Sequence, residues 1–79
     1  MNSKTYLKLG DKVKHLKHTY WGVGEVIEER SSSLPGGLCF VRILFEDGVE
    51  RSFINNFDHE MCCYYTGLRL IEEFNIWET

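Results

Sequence analysis

The stretch Trp21-Gly22-Val23-Gly24-Glu25-Val26 places two glycines two residues apart, after a tryptophan and before an apolar run. Glycines at this spacing allow the backbone to turn at positive φ or to pass close to another segment of the chain. The tryptophan is then left beside the bend, either as a core residue that plugs one end of the fold or as an exposed contact. A chain that bends sharply between short strands is typical of a small β-barrel.

The composition agrees with a β-rich domain. The chain has 79 residues, of which 43% are hydrophobic and 14% aromatic, and it contains no alanine, the best helix former. A chain of this length forms one domain with a modest core. We expect a polar N-terminal tail over residues 1–5, a barrel over 6–71 and an acidic tail over 72–79. The apolar residues of that tail, Phe74, Ile76 and Trp77, are expected to pack on the barrel.

Alternation and turn residues predict five strands. The first begins at Val13 after the Gly10-Asp11 turn, the second covers residues 21–29 with a bend at its glycines, and the third covers 38–45. The loop between the second and third strands, 31–37, is rich in serine and glycine and contains the one proline. Residues 55–67 predict a turn with a short helical or 3₁₀ segment, and a closing strand follows over 68–71.

The tripeptide Glu46-Asp47-Gly48 predicts the hairpin between the third and fourth strands. A three-residue loop with glycine in the left-handed conformation pairs Phe45 with Val49. A two-residue loop at Asp47-Gly48 pairs Phe45 with Glu50 instead. The first register matches the apolar faces of the two strands, so we favour the three-residue loop.

Three motifs carry a resemblance to a known family: Gly10-Asp11-Lys12-Val13-Lys14-His15, the stretch at 21–26, and Val41-Arg42-Ile43-Leu44-Phe45-Glu46-Asp47-Gly48. Over roughly residues 8–71 the chain resembles the small bacterial barrel at the C-terminal end of UvrD/PcrA-type helicases. This barrel is also found in stand-alone domains and, more distantly, in CarD-like polymerase-binding domains. The resemblance implies an all-β, five-stranded SH3-like or Tudor-like barrel that docks on RNA polymerase.

Charge and aromatic residues indicate a contact surface. The net charge is −3, but residues 4–17 carry five lysines against one acid, a balance of +4, whereas residues 46–79 carry eight acids against two arginines, a balance of −6. Adjacent aromatics on a strand point to opposite faces, so one of Tyr20 and Trp21 is expected to be exposed. The expected partner-binding residues are Lys12, Lys14, Lys17, Tyr20, Trp21 and Arg51.

These residues predict a non-catalytic interaction module that docks on a protein of the transcription or DNA-repair machinery, with a buried aromatic anchor and lysines that steer the encounter. The alternative is direct binding of nucleic acid through the N-terminal lysine edge. A solvated lysine-rich edge with no partner is the ordinary reading of such a cluster.

A third alternative is a zinc-stabilised domain. His15-x-x-His18 and His59-x-x-Cys62 have metal-like spacing, and four tetrahedral ligands for zinc could be drawn from these residues together with Cys63 or Cys39. No catalytic constellation is visible, so we expect no enzyme and no cofactor. Three cysteines, two of them adjacent, make a poor disulfide framework. With no signal peptide and no apolar segment of bilayer length, we expect a cytoplasmic protein without membrane contact.

Overall fold

A computed structural model describes residues 5–32 and 37–72 as one five-stranded antiparallel sheet, curled into a half-barrel. The strands are β1 (Lys12–His15), β2 (Gly24–Ser31), β3 (Cys39–Phe45), β4 (Glu50–Ile54) and β5 (Leu68–Leu70). A 3₁₀ turn covers Thr19–Trp21, and the short helix α1 covers Cys63–Thr66. The order across the sheet is β4-β3-β2-β1-β5. Five strands and a helical turn before the last strand agree with the sequence-based expectation.

Alternating burial places the core on the concave face of the sheet. In β1, Val13 and His15 are buried between the exposed Lys12 and Lys14, as the alternation of charged and uncharged residues predicts. The buried hydrophobic residues form one cluster: Leu7, Val13, Val26, Val41, Ile43, Phe45, Cys62, Cys63 and Leu68. Every strand contributes to this cluster or packs against it, so the core explains the curl of the sheet.

The β3–β4 hairpin has the three-residue loop that the sequence favours. The Phe45 N–H donates to the Val49 carbonyl at 3.2 Å, and the Phe45 carbonyl accepts the Gly48 N–H at 2.9 Å. Gly48 takes the left-handed conformation, with φ at +84°. Farther along, Val41 pairs with Phe53. The apolar faces of the two strands are therefore matched.

The second strand starts at Gly24, not at residue 21 as the sequence analysis expected. Thr19–Trp21 form a 3₁₀ turn, and Gly22 then reverses the chain at a φ of +79°. The Gly22 N–H donates to the Thr19 carbonyl at 3.1 Å, which ends the turn. The expected alternation of Tyr20 and Trp21 along a strand is therefore wrong, because both residues belong to the turn.

Gly24 allows β2 to pass close to β3, as the spacing of the glycines suggested. It is buried, and a Cβ at this position would lie 2.6 Å from Cγ2 of Ile43 and 2.8 Å from the ring of Phe45. Such distances are shorter than van der Waals contact, so β2 passes β3 where only a glycine fits. A register shift between Val26 and Glu28 bends β2 further along its length.

The buried side chain of Asn55 joins the N-terminal segment to the end of β4. Its Oδ1 accepts the N–H of Leu7 at 2.9 Å and of Tyr6 at 3.2 Å, and its Nδ2 donates to the Leu7 carbonyl at 2.9 Å. The neighbouring Asn56 accepts the Cys39 N–H at 2.6 Å. The two amides thus satisfy backbone groups that lie beyond the regular ladders.

Some expectations fall on residues that the structure does not describe. Phe74, Ile76 and Trp77 of the C-terminal tail, residues 33–36 of the loop and residues 1–4 lie outside the described part of the chain. Within the described part, no helix is long and apolar enough to cross a membrane.

Replacing Asn55 with alanine is expected to lower the free energy of unfolding by about 3 kcal/mol, because the buried Leu7 N–H loses its acceptor and the Leu7 carbonyl loses its donor, whereas the Tyr6 N–H keeps the Asn55 backbone carbonyl. Urea denaturation measures the change. The exposed Ser52 on β4 provides the control, since Ser52→Ala should change stability by less than about 0.5 kcal/mol. Equal urea midpoints for the two variants would contradict the structural role of Asn55.

Candidate functional site

Stacked aromatic and cationic side chains lie at one end of the half-barrel, between the 3₁₀ turn and the β3–β4 hairpin. Trp21 is at the centre of this group. Its ring stacks on His18 with centroids 4.4 Å apart and 17° between the planes, and it meets the edge of Phe45 at 5.1 Å. The Trp21 carbonyl accepts the N–H of Asp47, which connects the turn to the hairpin. We call the residues His15, His18, Tyr20, Trp21, Phe45 and Arg51 the Trp21 cluster.

Arg51 supports the indole from β4. Its guanidinium carbon lies 3.8 Å from the Trp21 ring centroid, a cation–π contact. The same guanidinium is paired with the carboxylate of Asp47, at 2.9 Å and 3.3 Å. This hydrogen bonding from Arg51 holds the pKa of the Asp47 carboxyl below its ordinary value. The positive charge of Arg51 is therefore largely neutralised by Asp47. The role of Arg51 in the site is to support the Trp21 ring.

His15, the last residue of β1, holds the turn that carries the cluster. The imidazole is only 5% exposed, and its Nδ1 accepts the N–H groups of Lys17 at 3.1 Å and His18 at 3.2 Å. Its ring lies 4.6 Å from the His18 ring and 4.9 Å from the Trp21 ring. Because Nδ1 is an acceptor in both bonds, the neutral imidazole carries its proton on Nε2.

The surroundings of His15 favour the neutral ring. Burial lowers the pKa of His15 below the ordinary value of 6.5, and the positive charges of His18, Lys17 and Arg51 lower it further. The ring also lies against Gly67, at the start of β5. A Cβ at Gly67 would lie 2.9 Å from Cε1 of His15, and the φ of +127° at this position favours glycine.

Outside the cluster core, the segment around the turn also carries exposed side chains. Tyr20 is 76% exposed, with its hydroxyl 3.4 Å from Nδ1 of His18. Leu16 is 48% exposed, and Lys17 beside it is exposed. We call Leu16, Lys17, Tyr20 and Trp21 the docking patch. Sequence reasoning missed Leu16.

The structure divides the six expected partner-binding residues between two places. Lys17, Tyr20 and Trp21 share the turn after β1, and Arg51 reaches it from β4. Lys12 and Lys14 lie on the outer face of β1, whereas His15, which packs on Trp21, lies on the inner face. The expected contact surface is therefore two surfaces, separated by the alternation of β1 itself.

The metal candidates form no complete ligand set within residues 5–32 and 37–72. No three His, Cys, Asp or Glu side chains lie close enough there to hold a metal ion. His15 and His18 do lie together, but Nδ1 of His15 is engaged by backbone N–H groups. Nδ1 of His59 likewise accepts the N–H of Met61 at 3.0 Å, and Cys62 is fully buried.

The cysteine pair at the start of α1 is also poorly placed to act as a nucleophile. Cys62 and Cys63 are free thiols with no exposed surface. Burial raises the pKa of the Cys63 thiol to about 12, with the neighbouring Cys62 adding to the effect. A thiol with such a pKa stays protonated at neutral pH and is a poor nucleophile.

Comparison with known proteins adds no relative. No model of a protein family matches the chain, and no characterised protein or solved structure matches it significantly. The candidate site therefore stands on the residues and contacts described above.

We expect the stability of the protein to fall as the pH drops below about 6.5, the ordinary histidine pKa. Because the pKa of His15 is lowered in the folded state, the unfolded chain takes up this proton at a higher pH than the folded chain does. The contribution of His15 is thus complete above pH 6.5 and is lost as the pH falls toward the lower, folded pKa.

Urea unfolding between about pH 7.5 and about pH 5, the range in which histidines titrate, measures the change in the free energy of unfolding. The control is His15→Asn, whose side-chain oxygen can replace the Nδ1 acceptor but does not titrate. The variant should lose part of the pH slope. An identical slope in the parent and the variant would show that His15 does not contribute to it.

Proposed function

We propose that the protein is a non-catalytic interaction module, an SH3-like or Tudor-like barrel that docks on a protein of the transcription or DNA-repair machinery. RNA polymerase is the partner that the sequence resemblance implies. Support for the barrel class comes from the connection of the strands. β1 is followed by the run β2-β3-β4, and β5 returns beside β1 after one short helix. Support for docking comes from the patch at residues 16–21.

The observation that carries the proposal is the strongly exposed side chain of Tyr20 beside Trp21, whose ring is held in place by Arg51. Tyr20 is 76% exposed, and its ring touches only neighbours in the same turn among the described ring contacts, His18 at 5.8 Å and Trp21 at 6.3 Å. Tyrosine and tryptophan are enriched among the residues that dominate binding energy at protein interfaces. A side chain of this kind, held on a rigid turn, loses little conformational entropy when a partner covers it.

The charges around the docking patch favour binding through apolar contacts, with a small electrostatic contribution to the association rate. Arg51 is matched by Asp47, and the side chain of Glu46 accepts the N–H of Val23 at 2.8 Å. Lys17 is the exposed cation within the patch itself. We therefore assign the affinity to the rings of Tyr20 and Trp21, and to Lys17 a contribution to the association rate.

Direct binding of nucleic acid is the second candidate, through a different face. Lys12 and Lys14 project from the outer face of β1, and Lys14 lies directly opposite Arg69 across the β1–β5 pair. Exposed lysines on one face of a strand form a cationic surface of the kind that phosphate groups bind. Binding through this face would weaken steeply with salt.

Capture of partners from a bacterial lysate, with and without nuclease and read by mass spectrometry, tests the proposal. Tyr20→Ala should reduce nuclease-resistant capture of polymerase or repair subunits by about tenfold, the equivalent of about 1.4 kcal/mol. The matched control is Tyr65→Ala, which removes a tyrosine that is 56% exposed on α1, outside the patch. Circular dichroism confirms that both variants are folded. Equal capture by both variants would refute docking through the patch.

A charge-reversal pair separates the two candidates. Docking through the patch predicts that Lys17→Glu slows capture, whereas Lys12→Glu, a reversal on the outer face of β1, leaves it unchanged. If capture disappears after nuclease treatment and Lys12→Glu weakens it, the ligand is nucleic acid bound through the outer face.

A further inference from the structure

One buried nitrogen connects the docking patch to the sheet. Nδ1 of His15 receives the N–H groups of Lys17 and His18, the two residues that lead into the 3₁₀ turn. The ring of His15 also packs against His18 and Trp21. Backbone bonds also hold the two ends of this segment: the Leu16 N–H donates to the Gly67 carbonyl at 2.8 Å, and the Trp21 carbonyl accepts the Asp47 N–H at 3.3 Å. Between these ends, His15 ties Lys17 and His18 to β1.

Protonation reverses the chemistry of this nitrogen. A protonated imidazole donates at both nitrogens and accepts at neither. In His15⁺ a proton on Nδ1 would point at two N–H donors in a site that is 5% exposed. Both hydrogen bonds are lost, and a positive charge is left buried among donors. The turn must move for Nδ1 to reach water or another acceptor.

The charged groups around His15 do not stabilise a positive charge on its ring. In the turn these groups are Lys17 and His18, and from β4 the group is Arg51. Each of them disfavours a positive charge on the ring. Asp47 is already paired with Arg51, and Gly67, which contacts the ring from the β5 side, carries no side chain. Protonated His15 is therefore stabilised best when the turn opens to solvent.

We propose that protonation of His15 releases the turn at residues 16–21 and withdraws the docking patch, so that the module is competent to dock at neutral pH and is switched off in acid. This regulation rests on the proposed docking function of the same patch. The movement of the turn, however, is a property of the chain alone and can be measured without a partner.

NMR of the 79-residue chain between about pH 7.5 and about pH 5, the range in which histidines titrate, tests whether the turn moves. We expect the amide protons of Lys17 and His18 to shift upfield together in one transition below pH 6.5, as their hydrogen bonds to Nδ1 are lost. His15→Asn, which keeps an acceptor but does not titrate, should abolish the transition. His18→Phe, which keeps a ring on Trp21, should retain it.

Two results would overturn the switch. In one, the Lys17 and His18 amides show no common transition. In the other, the transition survives in His15→Asn and is lost in His18→Phe, which would make His18 the titrating group.

Fluorescence reports on the patch directly. The chain has two tryptophans, so Trp77→Phe leaves Trp21 as the sole emitter. Release of the turn should raise the acrylamide quenching constant of Trp21 by about twofold or more between neutral and acid pH, with no such rise when His15→Asn is added. Unchanged quenching would refute withdrawal of the patch. Loss of lysate capture by the parent at neutral pH, in contrast, would refute the docking function and not the switch.

Discussion

The two hydrogen bonds from backbone amides to the buried Nδ1 of His15 connect the sheet to the candidate site. They fix the residues after β1 in a turn, and that turn places Trp21 over Phe45 at the end of the core. The same ring fills the space that Gly67 leaves at the start of β5. An apolar residue at position 15 would fill the volume but would leave two N–H groups without an acceptor.

The features that were predictable from the sequence are those set by local chemistry. Alternation predicts which residues of β1 are buried, and the Asp-Gly turn predicts the register that pairs Val41 with Phe53. The start of β2 was not predictable in this way. A run such as Trp21–Gly24 is compatible with a bent strand, but its first residue ends the 3₁₀ turn Thr19–Trp21. The N–H groups of Lys17 and His18, just before that turn, bond to His15, a side chain that local patterns do not identify as an acceptor.

The sequence predicted which residues belong to the candidate site better than it predicted how they are arranged. Charge and residue type selected Lys12 and Lys14 together with Trp21, yet the alternation of β1 already implied that these lysines and His15 lie on opposite faces. The contact between Arg51 and Trp21 depends on the hairpin register, in which Arg51 pairs with the buried Ile43. The neutralisation of Arg51 by Asp47 requires side-chain geometry that no sequence pattern supplies.

Glycine makes this arrangement possible by removing side chains where the backbone must pass closely. Gly24 lets β2 lie against Phe45, and Gly67 lets β5 lie against His15. Packing of this kind holds Trp21 in one position in the free chain, so that the proposed docking would lose little entropy. The same packing leaves no room for a buried cation beside Lys17 and Arg51. Because the neutral ring of His15 fits so closely, we expect the proposed docking patch to be sensitive to the protonation of that ring.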